Sequence, residues 1–204
     1  KKNNFKTILI DLPEANYINS YFLSSLYPNK NFFLSCDIKN QIIPSNIFEK
    51  YDVLILCPWD PLPNLGIDVF INTRSMMEMD YSTIDKYFEY IKKNIKEDGI
   101  FFCSNRYYKD TVGYPVEIYK YPFDENWKIL YSEKSWKQEH VHCLILKRSQ
   151  EKLDDIKIEK KKLLELSKIQ RKKDSRLIRR IMPNLLYTLY KYLKFYLFKI
   201  FNDK

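Results

Sequence analysis

IDVFINTRSMMEMDYSTIDKYFEYIKKNIKEDGIFFCSNR, residues 67 to 106, is the stretch whose reading decides the fold. Its apolar run at 68–72 predicts a strand that ends in the polar cluster Asn72, Thr73, Arg74 and Ser75, followed by Met76, Met77, Glu78 and Met79. Ser82 and Asp85 make a start resembling a capping box. Ile84, Tyr87, Phe88, Ile91 and Ile95 then recur at helical spacing until Gly99, which is expected to stop the helix. The run at 100–104 predicts a second, buried strand. Two strands joined by one helix form a βαβ unit with parallel strands, and ligands bind such sheets beyond the carboxyl ends of the strands. That rule puts Asn72, Thr73, Arg74, Ser75, Glu78, Asn105 and Arg106 on one rim.

Outward from this unit, residues 7–11 predict a short strand ending at Asp11, 16–26 a helix with Tyr17, Ile18, Tyr21, Phe22 and Ser25 on one side, and 31–35 and 52–57 two further strands. The second of these runs into Pro58, Trp59 and Asp60. The Tyr- and Pro-rich segment 107–124 predicts a loop crossing the rim, and 127–131 with 142–146 a terminal antiparallel pair. The order predicts an α/β fold, a mostly parallel sheet closed by an antiparallel hairpin. Two regions are expected: a domain over 1–148 and a helical extension over 149–204.

The chain has 204 residues, 45% of them apolar and 16% aromatic, enough to bury a core of ordinary size. Its 35 Lys and Arg outnumber 26 Asp and Glu, but residues 149–204 hold 16 of the former and 7 of the latter. The remaining 19 and 19 cancel, so the domain is neutral and the whole +9 lies in the tail. No nucleic acid is expected on the domain, and an anionic surface is the partner expected for the tail. Cys36, Cys57, Cys103 and Cys143 lie far apart, with no metal-ligand spacing to a histidine. They read as reduced thiols of a cytoplasmic protein with no metal site. The start, without initiator Met or signal peptide, suggests a fragment or a trimmed chain.

Within the tail, Leu153, Ile156, Leu163, Leu166 and Ile169 form a ragged stripe that admits a weak coiled coil, and Pro183 breaks it. Residues 184–202, NLLYTLYKYLKFYLFKIFN, place Lys191, Lys194 and Lys199 on a narrow polar face opposite a wide apolar one. Such a helix lies in a membrane interface rather than spanning it. Docking on protein is the alternative.

The strings IDLPE at 10–14, CPWD at 57–60, INTRSMMEM at 71–79 and FFCSNR at 101–106 resemble the sugar O-methyltransferases of bacterial surface-polysaccharide gene clusters, over roughly residues 5 to 148. The resemblance implies a Rossmann-like class I fold, S-adenosylmethionine as cofactor, and a sugar or lipid-linked glycan as acceptor. It also implies work at the inner face of the cytoplasmic membrane. Enzymes of this class carry a Gly-rich turn after their first strand, whereas the three glycines here, Gly66, Gly99 and Gly113, stand in no such motif. The domain is therefore expected to lack that strand and turn and to be N-terminally incomplete.

Several side chains acquire candidate roles. Asp11 can accept hydrogen bonds from ribose hydroxyls, or cap the helix that follows it. Pro58 and Trp59 suit the adenine ring, although a buried Trp serves a core equally well. Asn72 and Ser75 are expected near the sulfonium and the acceptor hydroxyl, or as turn formers. Arg74, Asn105 and Arg106 are candidates for the acceptor, the two arginines for a charged sugar or its phosphate carrier. Glu78 is the first candidate base, with Met77 and Met79 expected to give it apolar surroundings, and His140 is the second. The alternative to the enzyme is a non-catalytic, membrane-associated scaffold derived from an incomplete methyltransferase. The oligomeric state is left open.

Overall fold

The computed structural model describes residues 5–110, 113–181, 186 and 189–193, with only the backbone of 176–181. The fold is mixed α/β, mostly parallel in its strand pairs up to residue 106, with an antiparallel hairpin and a helical C-terminal region. It forms two compact units, Lys1–Leu65 and Gly66–Lys204.

In the first unit, strand β1 (Thr7–Ile10), helix α1 (Pro13–Leu26), β2 (Phe32–Leu34) and β3 (Val53–Leu56) give a parallel sheet in the order β1-β3-β2. The last strand in sequence is thus the central one. Phe33, Ile43, Ile47, Leu54 and Leu56 form its core. Asp52, just before β3, accepts from the Asn31 amide at 3.0 Å and from Lys6 Nζ at 2.9 Å, which holds its carboxyl down at about 2. Pro13 opens α1, where its missing N–H costs nothing. Asn16 alone of that helix is buried, and its amide donates to Asp11 O at 2.7 Å and Leu56 O at 2.8 Å. The aromatic side expected to pack, Tyr17, Ile18, Tyr21 and Phe22, is exposed.

In the second unit, β4 (Ile67–Thr73), α2 (Tyr81–Asn94) and β5 (Ile95–Arg106) realise the βαβ unit, with Ile71 opposite Phe102 and Thr73 opposite Ser104 in parallel register. The short strands β6 (Tyr108–Lys109) and β7 (Val116–Glu117) pair with each other. Strands β8 (Trp127–Lys134) and β9 (Val141–Arg148) complete the order β4-β5-β9-β8. Ile84, Phe88 and Ile91 of α2 are buried, and Phe88 meets Phe101 and Phe123 edge-on at 5.7 and 4.8 Å. Helix α3 (Asp155–Ile181) adds Ile156 and Leu163 to the same core.

Four readings need correction here. The strands fall into three sheets, with β1 and β4 each at an edge of a different one, so Asp11, Pro58 and Trp59 belong to another sheet than the rim after β4 and β5. Helix α2 starts after Asp80, whose carboxylate accepts from Thr83 N at 2.6 Å, and ends at Asn94 rather than at Gly99. Much of the described part of 107–124 belongs to the core rather than to a surface loop, for Tyr107, Val116, Ile118, Tyr121 and Phe123 are all buried. The stripe on α3 is no coiled-coil seam: Ile156, Glu159, Leu163 and Ser167 face the domain and Ile169 is exposed. Residues 184–202 lie outside the described residues except 186 and 189–193, which are helical and exposed.

Gly99 has a different task from ending a helix. A Cβ there would stand 2.7 Å from Ile95 Cγ1, 2.8 Å from Lys96 O and 3.1 Å from Ile67 O, at the bulge-like turn within β5 where its register against β4 shifts. Asp98 before it already has φ 64°. Gly99→Ala therefore forces backbone apart, and urea unfolding is expected to show a loss on the order of 1 to 3 kcal/mol. An unchanged midpoint would mean that the turn yields freely.

Candidate functional site

The first unit gathers polar groups beyond the carboxyl ends of its parallel strands. Cys57 to Asp60 form a β-turn, Asp60 N donating to Cys57 O at 3.0 Å, with Pro58 at the second position, where its fixed φ is favoured. The turn thrusts the Trp59 indole outward, 68% exposed. The Asp60 carboxylate accepts from Cys57 N at 2.7 Å and, at close range, from the Ser35 hydroxyl. Opposite lies a second tight turn, Ile42 N donating to Lys39 O at 3.3 Å across Asn40 and Gln41, whose φ values of 56° and 57° are left-handed. Ser35, Ile38, Asn40, Gln41, Trp59, Asp60 and Pro61 line an open cleft of about 290 Å³. Asp11 follows β1 on the same rim, exposed, with Oδ1 accepting from Leu12 N at 2.8 Å and Oδ2 without a hydrogen-bond partner among the described residues. An exposed indole over a polar cleft and a carboxylate with accepting capacity to spare fit a nucleoside's base and ribose. Nothing on this rim supplies a Gly-rich turn.

The second unit builds its rim around a buried amide. Asn105, with no exposed surface, donates to Asn72 Oδ1 at 2.9 Å and accepts from Met77 N at 3.3 Å. Asn72 in turn donates to Ser75 Oγ at 2.5 Å and accepts from Met76 N at 3.4 Å. These amides shape the turn after β4, so Asn105 does not offer itself to an acceptor, contrary to expectation. Ser75 itself is an exposed residue of the turn, with its Oγ accepting from Asn72.

Glu78 also departs from its expected surroundings. Met77 is turned into the core at 2% exposure, and the half-exposed Glu78 carboxylate is in close ion-pair contact with Lys109, whose side chain is only 9% exposed. Removing the carboxylate strands a buried ammonium, so Glu78→Gln perturbs the fold as well as any proton transfer. Lys109 went unnoticed in the sequence because the Tyr-rich segment around it has no period. Ser35 and Asp60 were missed as well, although the Pro-Trp-Asp turn was a usable signal for Asp60.

Arg74, Arg106 and His140 occupy the ends of neighbouring strands. Arg74 follows β4 with φ 63°, a left-handed conformation that costs a side chain about 1 to 3 kcal/mol, and its N–H donates to Ser104 O at 2.8 Å. Arg106 ends β5 opposite Val141, and Tyr107 N donates to His140 O at 3.1 Å. Neither arginine has a carboxylate partner among the described residues, and Arg106 Nε is buried without a hydrogen bond. Burial first, and then Arg106 and Arg74, push the His140 pKa below its ordinary 6.5, with Asp174 opposing. These influences favour the neutral form of His140. The other histidine, His142, is fully buried between Tyr107 OH at 3.0 Å and Ser132 Oγ at 2.9 Å, a structural role.

No family model matches the sequence, and no curated protein matches it. Among solved structures, the chain is similar to mitomycin 7-O-methyltransferase at 11% identity and TM-score 0.44, covering 71% of this chain and 42% of that one. A type 11 methyltransferase from Sulfolobus solfataricus is similar at 18% identity and TM-score 0.37, covering 72% and 86%. LepI, solved with SAH and a substrate analogue, is similar at 8% identity and TM-score 0.40, covering 74% and 44%. The chain thus spans less than half the length of the mitomycin enzyme and of LepI.

The electrostatics of the second rim are directly measurable. NMR titration of the two histidines is expected to place the His140 midpoint below 6.5, and Arg106→Gln to raise it only part of the way back, since burial is the larger cause. A wild-type midpoint at or above 6.5 would contradict this arrangement.

Proposed function

We propose that the chain is an S-adenosylmethionine-dependent O-methyltransferase, or a part of one, acting on a sugar hydroxyl in surface-polysaccharide synthesis. The observation that carries the reading is the cleft beside the exposed Trp59, with the free-edged Asp11 carboxylate on the same rim. Support also comes from the INTRSMMEM and FFCSNR strings, whose polar residues end two parallel strands. In this reading Trp59 stacks on the adenine and Asp11 accepts from the ribose hydroxyls. The cofactor, when bound, would supply an electrophilic methyl on sulfur. His140, on the rim of the second unit, is the candidate to accept the acceptor's hydroxyl proton. His140 is preferred to Glu78 because its neutral form is favoured and Glu78 is committed to Lys109.

Calorimetry of the full chain with S-adenosylmethionine is the first test. Binding is expected in the wild type, weakened about tenfold or more in Asp11→Ala and in Trp59→Ala. Transfer of labelled methyl to glycosyl acceptors should fall on the order of a hundredfold in His140→Gln with cofactor affinity unchanged. No binding by the wild type would favour the scaffold.

We further propose that residues 184–202 attach the protein peripherally to anionic membrane. Support comes from their amphipathic sequence and from the exposure of Leu186, Leu189, Tyr192 and Leu193. No described helix is long and apolar enough to cross a membrane. Flotation with anionic liposomes should exceed that with neutral ones and decline with salt, because screening weakens attraction to Lys191, Lys194 and Lys199. Equal, salt-insensitive flotation on both would remove the electrostatic part.

A further inference from the structure

We infer that the rim of the second unit binds a phosphoryl group, and that Arg74 and Arg106, beside His140, are the residues that hold it. Taken with the function proposed above, the acceptor is a sugar still carrying a phosphate or diphosphate; the anion site itself rests on this unit alone. Three independent features converge on it. The backbone holds Arg74 in a left-handed conformation that Gly or Asn would adopt more readily, fixed by the bond to Ser104 O. The Arg106 side chain makes no hydrogen bond or ion pair among the described residues, its Nε–H being buried and unsatisfied, so its guanidinium is not committed to another acceptor. Both side chains lack the carboxylate partners that other cations of this unit possess: Arg148 pairs with Asp124 at 2.6 Å and Lys147 with Asp98 at 2.8 Å.

The neighbouring acids do not neutralise the pair. Glu78 is taken by Lys109, and Asp174 of α3, which accepts from Gln170 at 2.8 Å, opposes the arginines at His140 without outweighing them. Two permanent positive charges match the double charge of a phosphate monoester or a diphosphate better than the single charge of a uronic acid. A soluble nucleotide sugar and a lipid-linked sugar share this chemistry.

The test is calorimetry of the full chain with pyrophosphate, needing neither cofactor nor turnover. Arg74→Asn, which preserves the left-handed turn, and Arg106→Gln are each expected to weaken binding about tenfold or more. Arg106→Lys, which keeps the charge, should retain part of it. Lys147→Gln, opposite Ile100 and far along the sheet from Arg106, should bind as the wild type does. Pyrophosphate should also displace the His140 ring resonances, which glucuronate at equal concentration should not do. No wild-type binding, or equal losses in Lys147→Gln and Arg106→Gln, would overturn the site. Comparison of a nucleotide diphosphate sugar with a short-chain polyprenyl diphosphate sugar then identifies the source by the tighter binder. Pyrophosphate binding without S-adenosylmethionine binding would leave the anion site standing and remove the methyltransferase.

Discussion

Taking a primary amide fully out of water costs on the order of 1 to 3 kcal/mol for each hydrogen bond it fails to recover. Asn105 sits at such a place, without exposed surface, at the end of the long strand β5. Its oxygen and nitrogen recover their partners from Met77 N and Asn72, and Asn72 passes the constraint to Ser75 and Met76. The turn after β4 thereby acquires one shape. Met76 and Met77 fill the core beneath it, Ser75 is left outside, and Arg74 is driven into its left-handed conformation. The polar rim is a consequence of burying this amide.

Charge on that rim is divided by the same geometry. Glu78 leaves the turn toward Lys109, so the acid that sequence proximity would assign to Arg74 is spent elsewhere. The two arginines keep their charge uncompensated and act on His140. Their charge disfavours the imidazolium and favours a neutral ring, whose free nitrogen is the one able to take a proton.

Helix α3 belongs to the second unit's packing through a polar seam as much as an apolar one. Ser167 donates to the buried Glu117 at 2.8 Å, and Glu159 accepts from Ser132 at 2.6 Å and lies 3.5 Å from His142. Glu117 is also bound by Lys120 at 2.7 Å. Buried carboxylates satisfied in this way specify where the helix lies, since sliding it by a turn would unpair both. The basic charge of the tail therefore begins on a helix whose first half is anchored to the sheet.

The elements determined by local pattern were legible in the sequence alone. The apolar run of β4, the period of 3.6 in α2 and the paired apolar runs of β8 and β9 were readable because each is written into neighbouring residues. The neutral domain, the basic tail and the reactive types on the rim were legible for the same reason. Long-range partnership was not. Lys109 reaches Glu78 across 31 positions, and Asn105 meets Asn72 across 33. The order β1-β3-β2 puts the last strand in the middle, and much of the aromatic run 107–124 is core because α2 and α3 leave a space that only large side chains fill. A periodic pattern reports which side of an element avoids water, whereas the identity of what covers that side, and which charges it neutralises, exists only once distant segments are brought together.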